Sequence, residues 1–392
     1  MAKDLPIIYP NNDDEIDNEL AKYLYESHCA ILIIENLPVA SEFGIDLSTF
    51  EIGDKFKGVK LIPPGLHFVY ASSINRAGDQ HGPRCSFYYD FGERQILIKR
   101  WSTINEDFDE SFEPTEELRD RYRSNLRDLD RYLGAYRFSS YTTFSRLTDK
   151  ITPELLARLM PDCRVFRSIP YLTREESPSH CNKRRSQRQP RRTLRVSDGT
   201  KPASENELLP QLKPACNTRI KFTLIPHDHS YSKLTSQTDI TNFNLDSTTK
   251  LKQTFGDDLE SLLGELQMSY ITLILGHVYE SFEQWRRIIA LLCLSDTALV
   301  EHKIFFLDFL SILELQLDQV PVDLFEDIED EYNFIRYHLD IMFQNIEHLA
   351  SKHQVYSDLI DQAAKLRTMT ESKFKWKFGI EVMDELPTIV EL

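Results

Sequence analysis

The chain has 392 residues, 41% of them hydrophobic, and a formal net charge of −16. Single hydrophobic cores seldom grow beyond about 250–300 residues, so this length predicts two domains. The negative charge argues against nucleic-acid binding by the whole surface, because lysines and arginines must displace the counterions of a polyanion. Any contact with RNA is therefore expected to be local.

The cysteines and the apolar runs bear on the compartment. Six cysteines are scattered without a Cys-x-x-Cys pair, and no secretory signal opens the sequence. The apolar runs fall short of the ~20 residues that a membrane span requires. We therefore expect reduced thiols in a soluble intracellular protein.

The first part of the chain has the pattern of a β-rich domain, assigned to residues 1–172. A short helix is predicted around Leu20 and Leu24, followed by a buried strand over residues 30–34. The block 42–68 contains four glycines and the turn Pro63-Pro64-Gly65, which predicts a hairpin. In the second strand of that hairpin His67 is expected to point away from the apolar set, towards a polar face.

Further elements follow in the same domain. Residues 86–91 and 95–101 flank Gly92 and predict a second hairpin. An apolar stripe from Leu118 to Leu133 predicts one amphipathic helix between Pro114 and Gly134. Two short helices are predicted next, packed on the sheet, and the second begins at Thr152-Pro153.

Residues 173–218 are rich in Ser, Pro and Arg, which predicts a disordered linker. A basic run stands out against the acidic chain, and it is interpreted as a nuclear import signal, an RNA contact or a merely solvated linker. Phosphorylation of Ser186, Ser230 or Ser232 is a further possibility. The basic residues are Lys183, Arg184, Arg185, Arg188, Arg191, Arg192 and Arg195.

Helical periodicity dominates residues 219–378, after a possible strand at 220–225, and connections are predicted near Gly276, Ser295 and Pro321. The stretch from Leu262 to Trp285 is apolar on most sides, which favours a core helix. Tyr279 and Trp285 could instead be anchors for a partner, since aromatic residues are enriched in interface hot spots.

The tail 379–392 ends in a β-prone segment after a proline. Such a segment could add itself to the sheet edge of another protein, or it could fray as termini usually do. The predicted partner-binding residues are Pro387, Thr388, Ile389, Val390, Glu391 and Leu392.

Catalytic motifs are missing from the sequence. Neither a Walker A loop nor a G-x-G-x-x-G motif occurs, and no G-x-S-x-G elbow marks a nucleophilic serine. The pair His227 and His229, with His180-Cys181, has no standard zinc spacing. A metal-dependent enzyme on a cupin-like β-domain, using His67, His81 or that pair, is one alternative, and a generic helical peptide-binding adaptor is another.

Several blocks, in order, resemble the A1-alpha2-repression (AAR2) family of spliceosomal U5 snRNP assembly factors. They span most of the chain. The blocks are E-F-G-I-D (42–46), G-x-K-F-x-G-V-K (53–60), I-P-P-G-x-H-F (62–68), Gly82-Pro83-Arg84, Arg100-Trp101-Ser102, L-L-G-E-L-Q (262–267) and L-G-H-V-Y-E-S-F-E-Q-W-R-R (275–287).

The resemblance implies an α+β multidomain fold, with an amino-terminal β-sandwich-like domain, flanking helices and a carboxy-terminal all-α domain similar to VHS domains. It implies a non-catalytic, chaperone-like factor without cofactor or metal. The implied partner is the large U5 scaffold, pre-mRNA-processing factor 8, held through its RNase H-like and Jab/MPN domains so that the U5 helicase binds late. Cytoplasmic and nuclear residence is implied, without membrane or sequence-specific nucleic-acid binding. The arginine-rich linker departs from the family pattern.

Overall fold

The computed structural model describes ten stretches of the chain. Everything below refers to these stretches alone. They are residues 9, 18–74, 81–170, 172–174, 212–214, 216–226, 246–256, 258–322, 334–352 and 357–379.

The amino-terminal half is built mainly from short strands. They are β1 (Ala30–Glu35), β2 (Glu42–Ile45), β3 (Ser48–Glu51), β4 (Gly58–Ile62), β5 (Gly65–Ser72), β6 (Cys85–Phe91), β7 (Ile96–Ser102), β8 (Asp107–Phe108), β9 (Leu133–Ala135) and β10 (Phe166–Arg167). The helices of this half are α1 (Asn18–Tyr23), continued by a π-helical turn (Leu24–His28), α2 (Glu116–Ser124), α3 (Leu126–Leu129), α4 (Tyr141–Thr148) and α5 (Pro153–Leu159).

These strands form two five-stranded sheets. Sheet A has the order β8-β7-β1-β4-β9 and sheet B the order β10-β6-β5-β2-β3. Alternate residues of each strand point to opposite faces, so Leu32 and Ile34 meet sheet B while Ile31 and Ile33 face outwards, towards α2 and α3. The expected β-sandwich-like domain with flanking helices is confirmed.

Both predicted hairpins are wrong. Strands β4 and β5 follow each other around Pro63-Pro64-Gly65, but β4 belongs to sheet A and β5 to sheet B. The same holds for β6 and β7 on either side of Gly92. Glycine and proline mark where the chain reverses, and they do not specify whether it returns in the same sheet or crosses to the other.

The helix predicted between Pro114 and Gly134 is also corrected. Thr115 caps α2 as its side chain accepts a hydrogen bond from the Leu118 amide, but α2 ends at Ser124. After α3 and a 3₁₀ turn, Leu133 and Gly134 lie in β9, which pairs in parallel with β4. The apolar stripe was real, because its residues cover the outer face of sheet A, yet the last of them do so from a strand.

The carboxy-terminal half is helical, as expected, with breaks at the predicted places. Its described helices are α6 (Thr248–Phe255), α7 (Leu259–Ile274), α8 (Tyr279–Cys293), α9 (Asp296–Glu301), α10 (Lys303–Gln319), α11 (Phe334–Lys352) and α12 (Ser357–Phe374). Residues 262–285 therefore belong to two helices joined at Gly276. None of the described helices is long and apolar enough to cross a membrane.

The two halves share one hydrophobic core. The face of sheet B that points away from sheet A carries Phe68, Tyr70 and Tyr88, and these side chains are buried in the same cluster as α4, α5 and the carboxy-terminal helices. The helices α4 and α5 contact α7 as well as the sheet. From one side to the other, the layers are α2 with α3, sheet A, sheet B and then α4, α5 and the carboxy-terminal helices.

The ends of the predicted linker are paired with each other. Strands β11 (Leu172–Arg174) and β12 (Leu212–Pro214) form an antiparallel ribbon with Arg174 opposite Leu212. Residues 220–225, a possible strand in the sequence, have no strand structure and run beside α8. The basic run, the candidate phosphorylation sites and the tail from residue 380 lie outside the described residues.

Gly264 on α7 shows how closely the halves approach, and it gives a first test. A β-carbon at this position would lie 2.3 Å from the Lys150 carbonyl oxygen in the α4–α5 loop. We expect Gly264→Ala to lower the free energy of unfolding by about 1–3 kcal/mol, since the main chain at Lys150 and helix α7 must move apart to admit the methyl group. Gly53→Ala is the control, because no atom lies within 4 Å of its β-carbon position. Denaturant unfolding of both variants measures the difference, and equal stability would contradict the close packing.

Candidate functional site

His67, a candidate metal ligand, is fully buried rather than on a polar face. It donates from Nδ1 to Asp46 Oδ2 (2.7 Å) and from Nε2 to the Pro63 carbonyl oxygen (2.8 Å). Tyr136 donates its hydroxyl to the same carboxylate at 2.6 Å, and the Phe68 amide donates to Asp46 Oδ1 at 2.9 Å. His67 does point away from Leu66, Phe68 and Tyr70, as expected, but the face it occupies is buried against sheet A and is not a polar face.

This arrangement leaves His67 without a free lone pair. Both ring nitrogens are engaged with oxygens of the protein, Nδ1 with Asp46 and Nε2 with Pro63. A metal ligand needs an unprotonated nitrogen, and a catalytic base needs contact with a substrate. The group of Asp46, His67 and Tyr136 ties the loop before β5 to the turn between β2 and β3 and to the residue after β9.

The other candidate metal ligands are not placed beside His67. His81 is exposed and forms an isolated bridge with Ile74. His180, Cys181, His227 and His229 lie outside the described residues. Within the described part of the chain, no three His, Cys, Asp or Glu side chains are placed to hold a metal ion.

The most elaborate polar contact joins sheet B to the turn between α7 and α8. Arg84 forms a two-pronged ion pair with Glu42, with nitrogen–oxygen distances of 2.6 and 3.1 Å. Its third donor, Nη1, reaches the Leu275 carbonyl oxygen at 2.9 Å. We call this junction, formed by Glu42, Arg84 and residues 275–278, the seam.

Aromatic packing fixes the Arg84 guanidinium in the seam. The group lies 4.7 Å from the centre of the Tyr70 ring, a cation–π distance. Tyr70 in turn fills the space over Gly44, where a β-carbon would lie 2.0 Å from the ring, and its hydroxyl contacts Thr49 Oγ1 at 2.5 Å. Glycine at position 44 is thus required for the ring that positions Arg84.

The turn itself fits closely against the sheet. A β-carbon on Gly276 would lie 2.6 Å from the Thr272 carbonyl oxygen, 3.2 Å from Ser86 Oγ and 3.3 Å from the Phe68 ring. His277 follows with a left-handed φ of 54° at the rim of the seam. Partial burial, and then the Arg84 charge, lower the pKa of His277 from its ordinary value.

Glu265, in the middle of α7, is a buried carboxylate that fastens the segment 220–225. Its oxygens accept the Thr223 amide and the Thr223 hydroxyl, both at 2.7 Å, and Gln284 Nε2 at 2.9 Å. Burial raises its pKa, while these donors and the partly exposed Arg158 oppose the rise. Because these donors occupy both oxygens of its carboxylate, Glu265 has a structural role.

Gln267, two residues further on the same helix, holds the α4–α5 loop. It accepts the Lys150 amide at 2.8 Å and donates to Asp149 Oδ1 at 2.6 Å and to the Arg146 carbonyl oxygen at 3.2 Å. Together with Gly264 it locks the last helices of the amino-terminal half onto α7.

The two aromatic residues considered as partner anchors have opposite environments. Trp285 is fully buried and donates to Gln316 Oε1 at 2.9 Å, so the interpretation as a core residue is confirmed for it. Tyr279 is 69% exposed at the first turn of α8, next to the seam. The predicted partner-binding tail and the basic run lie outside the described residues.

Several of the sequence blocks that carried the family resemblance contain residues of the seam or of the buried polar contacts described above. Glu42 and Asp46 come from the first block, Arg84 from the Gly-Pro-Arg block, Glu265 and Gln267 from the L-L-G-E-L-Q block, and residues 275–278 from the last. The sequence identified these residues as parts of the family blocks, but it did not predict their contacts. A buried polar residue inside an apolar helix, as Glu265 and Gln267 are, was the available signal.

Fold and site define a class of protein: a β-sandwich fused through a shared core to a helical bundle, in which the buried polar residues connect segments. A model of the AAR2 N-terminal domain matches residues 28–161, and a model of the AAR2 C-terminal repeat region matches residues 222–379. The chain belongs to the AAR2 family.

Relatives align over nearly the whole length. The AAR2 homolog of Macaca fascicularis is 34% identical over 386 residues, covering 96% of this chain and 97% of that protein. The Homo sapiens homolog is 33% identical over 383 residues with the same coverage. The Caenorhabditis elegans homolog is 31% identical over 374 residues, covering 93% of this chain and 98% of that protein.

Removal of the Arg84 side chain tests the seam. Arg84→Ala leaves Glu42 without its partner and the Leu275 carbonyl without its donor, so we expect a loss of about 2 kcal/mol of unfolding free energy. Faster amide exchange at residues 275–278 should accompany it. Arg119→Ala, which breaks an exposed pair with Glu116, is the control and should change stability by less than about 0.5 kcal/mol. Equal effects of the two changes would refute the role of Arg84.

The lowered pKa of His277 gives a pH test. The unfolded chain binds a proton at this histidine at higher pH than the folded protein, so stability is lost as pH falls through the unfolded value of 6.5 towards the folded pKa. We expect the pKa of His277, followed by NMR, to lie below 6.5. In Arg84→Ala this pKa should rise but stay below 6.5. The rise is partial because burial is the larger cause. An unchanged pKa in that variant would show that Arg84 does not act on the ring.

Proposed function

We propose that this protein is a non-catalytic pre-mRNA splicing factor that assists assembly of the U5 snRNP. In this proposal it binds the large scaffold, pre-mRNA-processing factor 8, through the scaffold's RNase H-like and Jab/MPN domains, and so delays the U5 helicase. The observation that carries the proposal is membership of the AAR2 family in both halves of the chain.

The packing of the two halves supports a binding role. A protein that holds two domains of a partner must keep its own surfaces in a fixed relation. The shared core, the seam and the contacts of Gln267 supply that rigidity. The polar groups that could have suggested chemistry, Asp46, His67 and Glu265, are buried and engaged with protein atoms.

The tail and the basic run complete the proposal from the sequence. Residues 386–392 would add a strand to a sheet edge of the scaffold, with main-chain hydrogen bonds providing affinity. Residues 183–192 would direct import of the assembled particle, so that the protein works in the cytoplasm and the nucleus. Imaging of a tagged chain with these basic residues changed to serine would show the second step.

Truncation after Asp384 tests the proposed scaffold contact. The purified chain, complete or truncated, is mixed with a scaffold fragment containing the RNase H-like and Jab/MPN domains. We expect the complete chain to hold the fragment and to reduce helicase binding to it, and the truncated chain to lose at least about tenfold in affinity, since several main-chain hydrogen bonds disappear. Unchanged affinity would remove the tail from the proposal. The control carries the complete tail and serines at the basic run, and it should bind as the parent does.

A further inference from the structure

Strand β6 is paired on one side over its whole length and on the other side only at its start. Along its inner side it pairs with β5 from Cys85 to Phe91. On the outer side the described partner is β10, which covers only Cys85 and Ser86. No other described strand lies beside Phe87–Phe91, so this part of sheet B has an open edge.

The register identifies which main-chain groups are free at this edge. The Ser168 amide donates to the Arg84 carbonyl oxygen at 3.0 Å, so Arg84 faces β10. Alternate residues of a strand direct their N–H and C=O groups to the same side, which places those of Tyr88 and Asp90 at the open edge. Neither residue has a main-chain partner there among the described residues.

Arg164 is the reason that the edge stays open. If the β10 register continued backwards along the chain, Arg164 would stand opposite Tyr88. Instead, Arg164 has a left-handed φ of 57°, and its amide bonds to the Pro161 carbonyl oxygen at 2.9 Å. A left-handed conformation is unfavourable for a residue with a β-carbon. The chain therefore turns off the edge at this point.

A groove runs along the open edge, with a cavity volume of about 660 Å³. Leu156 and Met160 of α5 form an apolar wall, with Leu66 of β5 beside them. Lys99 of β7 lies on the opposite side, with its ammonium 5.1 Å from the centre of the Phe87 ring. We call this feature the edge groove. An added strand would direct alternate side chains to the apolar wall and to Lys99.

The charges of the edge groove favour an anion. Lys221 is paired with Asp162 at 2.6 Å, which leaves Lys99, Arg164 and the exposed Asp90. No ion pair joins Lys99 or Arg164 to another described residue. Burial, and then the Arg164 charge, lower the pKa of Lys99, and no carboxylate of the described residues pairs with its ammonium. A partly buried cation of this kind gains from an incoming carboxylate.

We propose that the edge groove binds an extended segment of a partner protein in which bulky apolar and acidic side chains alternate. The segment adds to sheet B as a new strand beside Phe87–Phe91, bonded through the main chain of Tyr88 and Asp90. Its apolar side chains lie on the α5 wall and its acidic side chains meet Lys99. This site does not depend on the proposed contact of the tail with the U5 scaffold.

Two synthetic peptides test the proposal with the complete chain. A fluorescein-labelled Thr-Val-Glu-Val-Glu-Val-Thr peptide has the required alternation, and Thr-Val-Lys-Val-Lys-Val-Thr reverses its charge. Fluorescence anisotropy is expected to show at least about tenfold tighter binding of the glutamate peptide. Equal affinity of the two peptides, or no binding of either, would overturn the proposal.

Amide exchange reports the added strand directly. On saturation with the glutamate peptide, the Tyr88 and Asp90 amides should become protected, while Tyr89, which already bonds towards β5, should change little. Protection at β3, which ends the other side of sheet B, would place the peptide elsewhere and overturn the proposal. Protection of Tyr88 and Asp90 without peptide, rising with protein concentration, would show that a second copy occupies the edge and would overturn it as well.

Variants separate charge from main-chain bonding. Lys99→Glu should reverse the preference between the two peptides, whereas Lys55→Glu, the same charge change at an exposed turn, should leave it unchanged. Asp90→Pro removes one edge N–H at a position where proline is tolerated, and it should weaken the glutamate peptide about tenfold relative to Asp90→Ala. Thermal unfolding confirms that each variant is folded. Unaltered binding in both Lys99→Glu and Asp90→Pro would refute the site.

Discussion

The two apolar faces of sheet B are the constraint on which the rest of the molecule depends. One face packs on sheet A, and the other carries Phe68, Tyr70 and Tyr88. An apolar surface of this size is not left in water, so the helices must cover it. The two halves are consequently parts of one core, even though each matches a family model of its own.

The close approach of the halves explains the small and polar residues at their junction. Gly264 and Gly276 stand where a side chain would strike main-chain oxygens, and Gly44 makes room for the ring beneath Arg84. Burial of main-chain groups at such a junction requires partners for them, and Arg84 and Gln267 provide these. Small residues and side-chain donors at this junction thus hold the sheet and the helices of this chain in a fixed position relative to each other.

The sequence predicted which segments are regular and how they follow each other, but not how the strands are arranged. Periodicity located the strands and the helices around Thr152 and Gly276, because it reports which face of a segment is buried. It did not distinguish a hairpin from a crossing between sheets, and the turn at Pro63-Pro64-Gly65 was misassigned for that reason. For His67 the alternation gave the correct side of the strand but not its environment, since a strand buried on both sides has no polar face.

The residues of the site were less accessible to prediction than the elements. Arg84 lies 191 residues from its acceptor Leu275, and nothing local in the sequence indicates that contact. The open edge of β6 exists because β10 is short, which depends on the backbone conformation of Arg164. Properties of this kind arise only when distant segments are brought together.

The ribbon of β11 and β12 determines where the two ends of the segment that carries the basic run lie. Paired strands lie about 5 Å apart, so residues 174 and 212 leave the body at one point. Residues 174 and 212 are therefore side by side, and the number of residues between them sets no distance between the two halves. Because closing a longer loop costs little more entropy than closing a shorter one, residues could be inserted between 174 and 212 without separating the two strands of the ribbon.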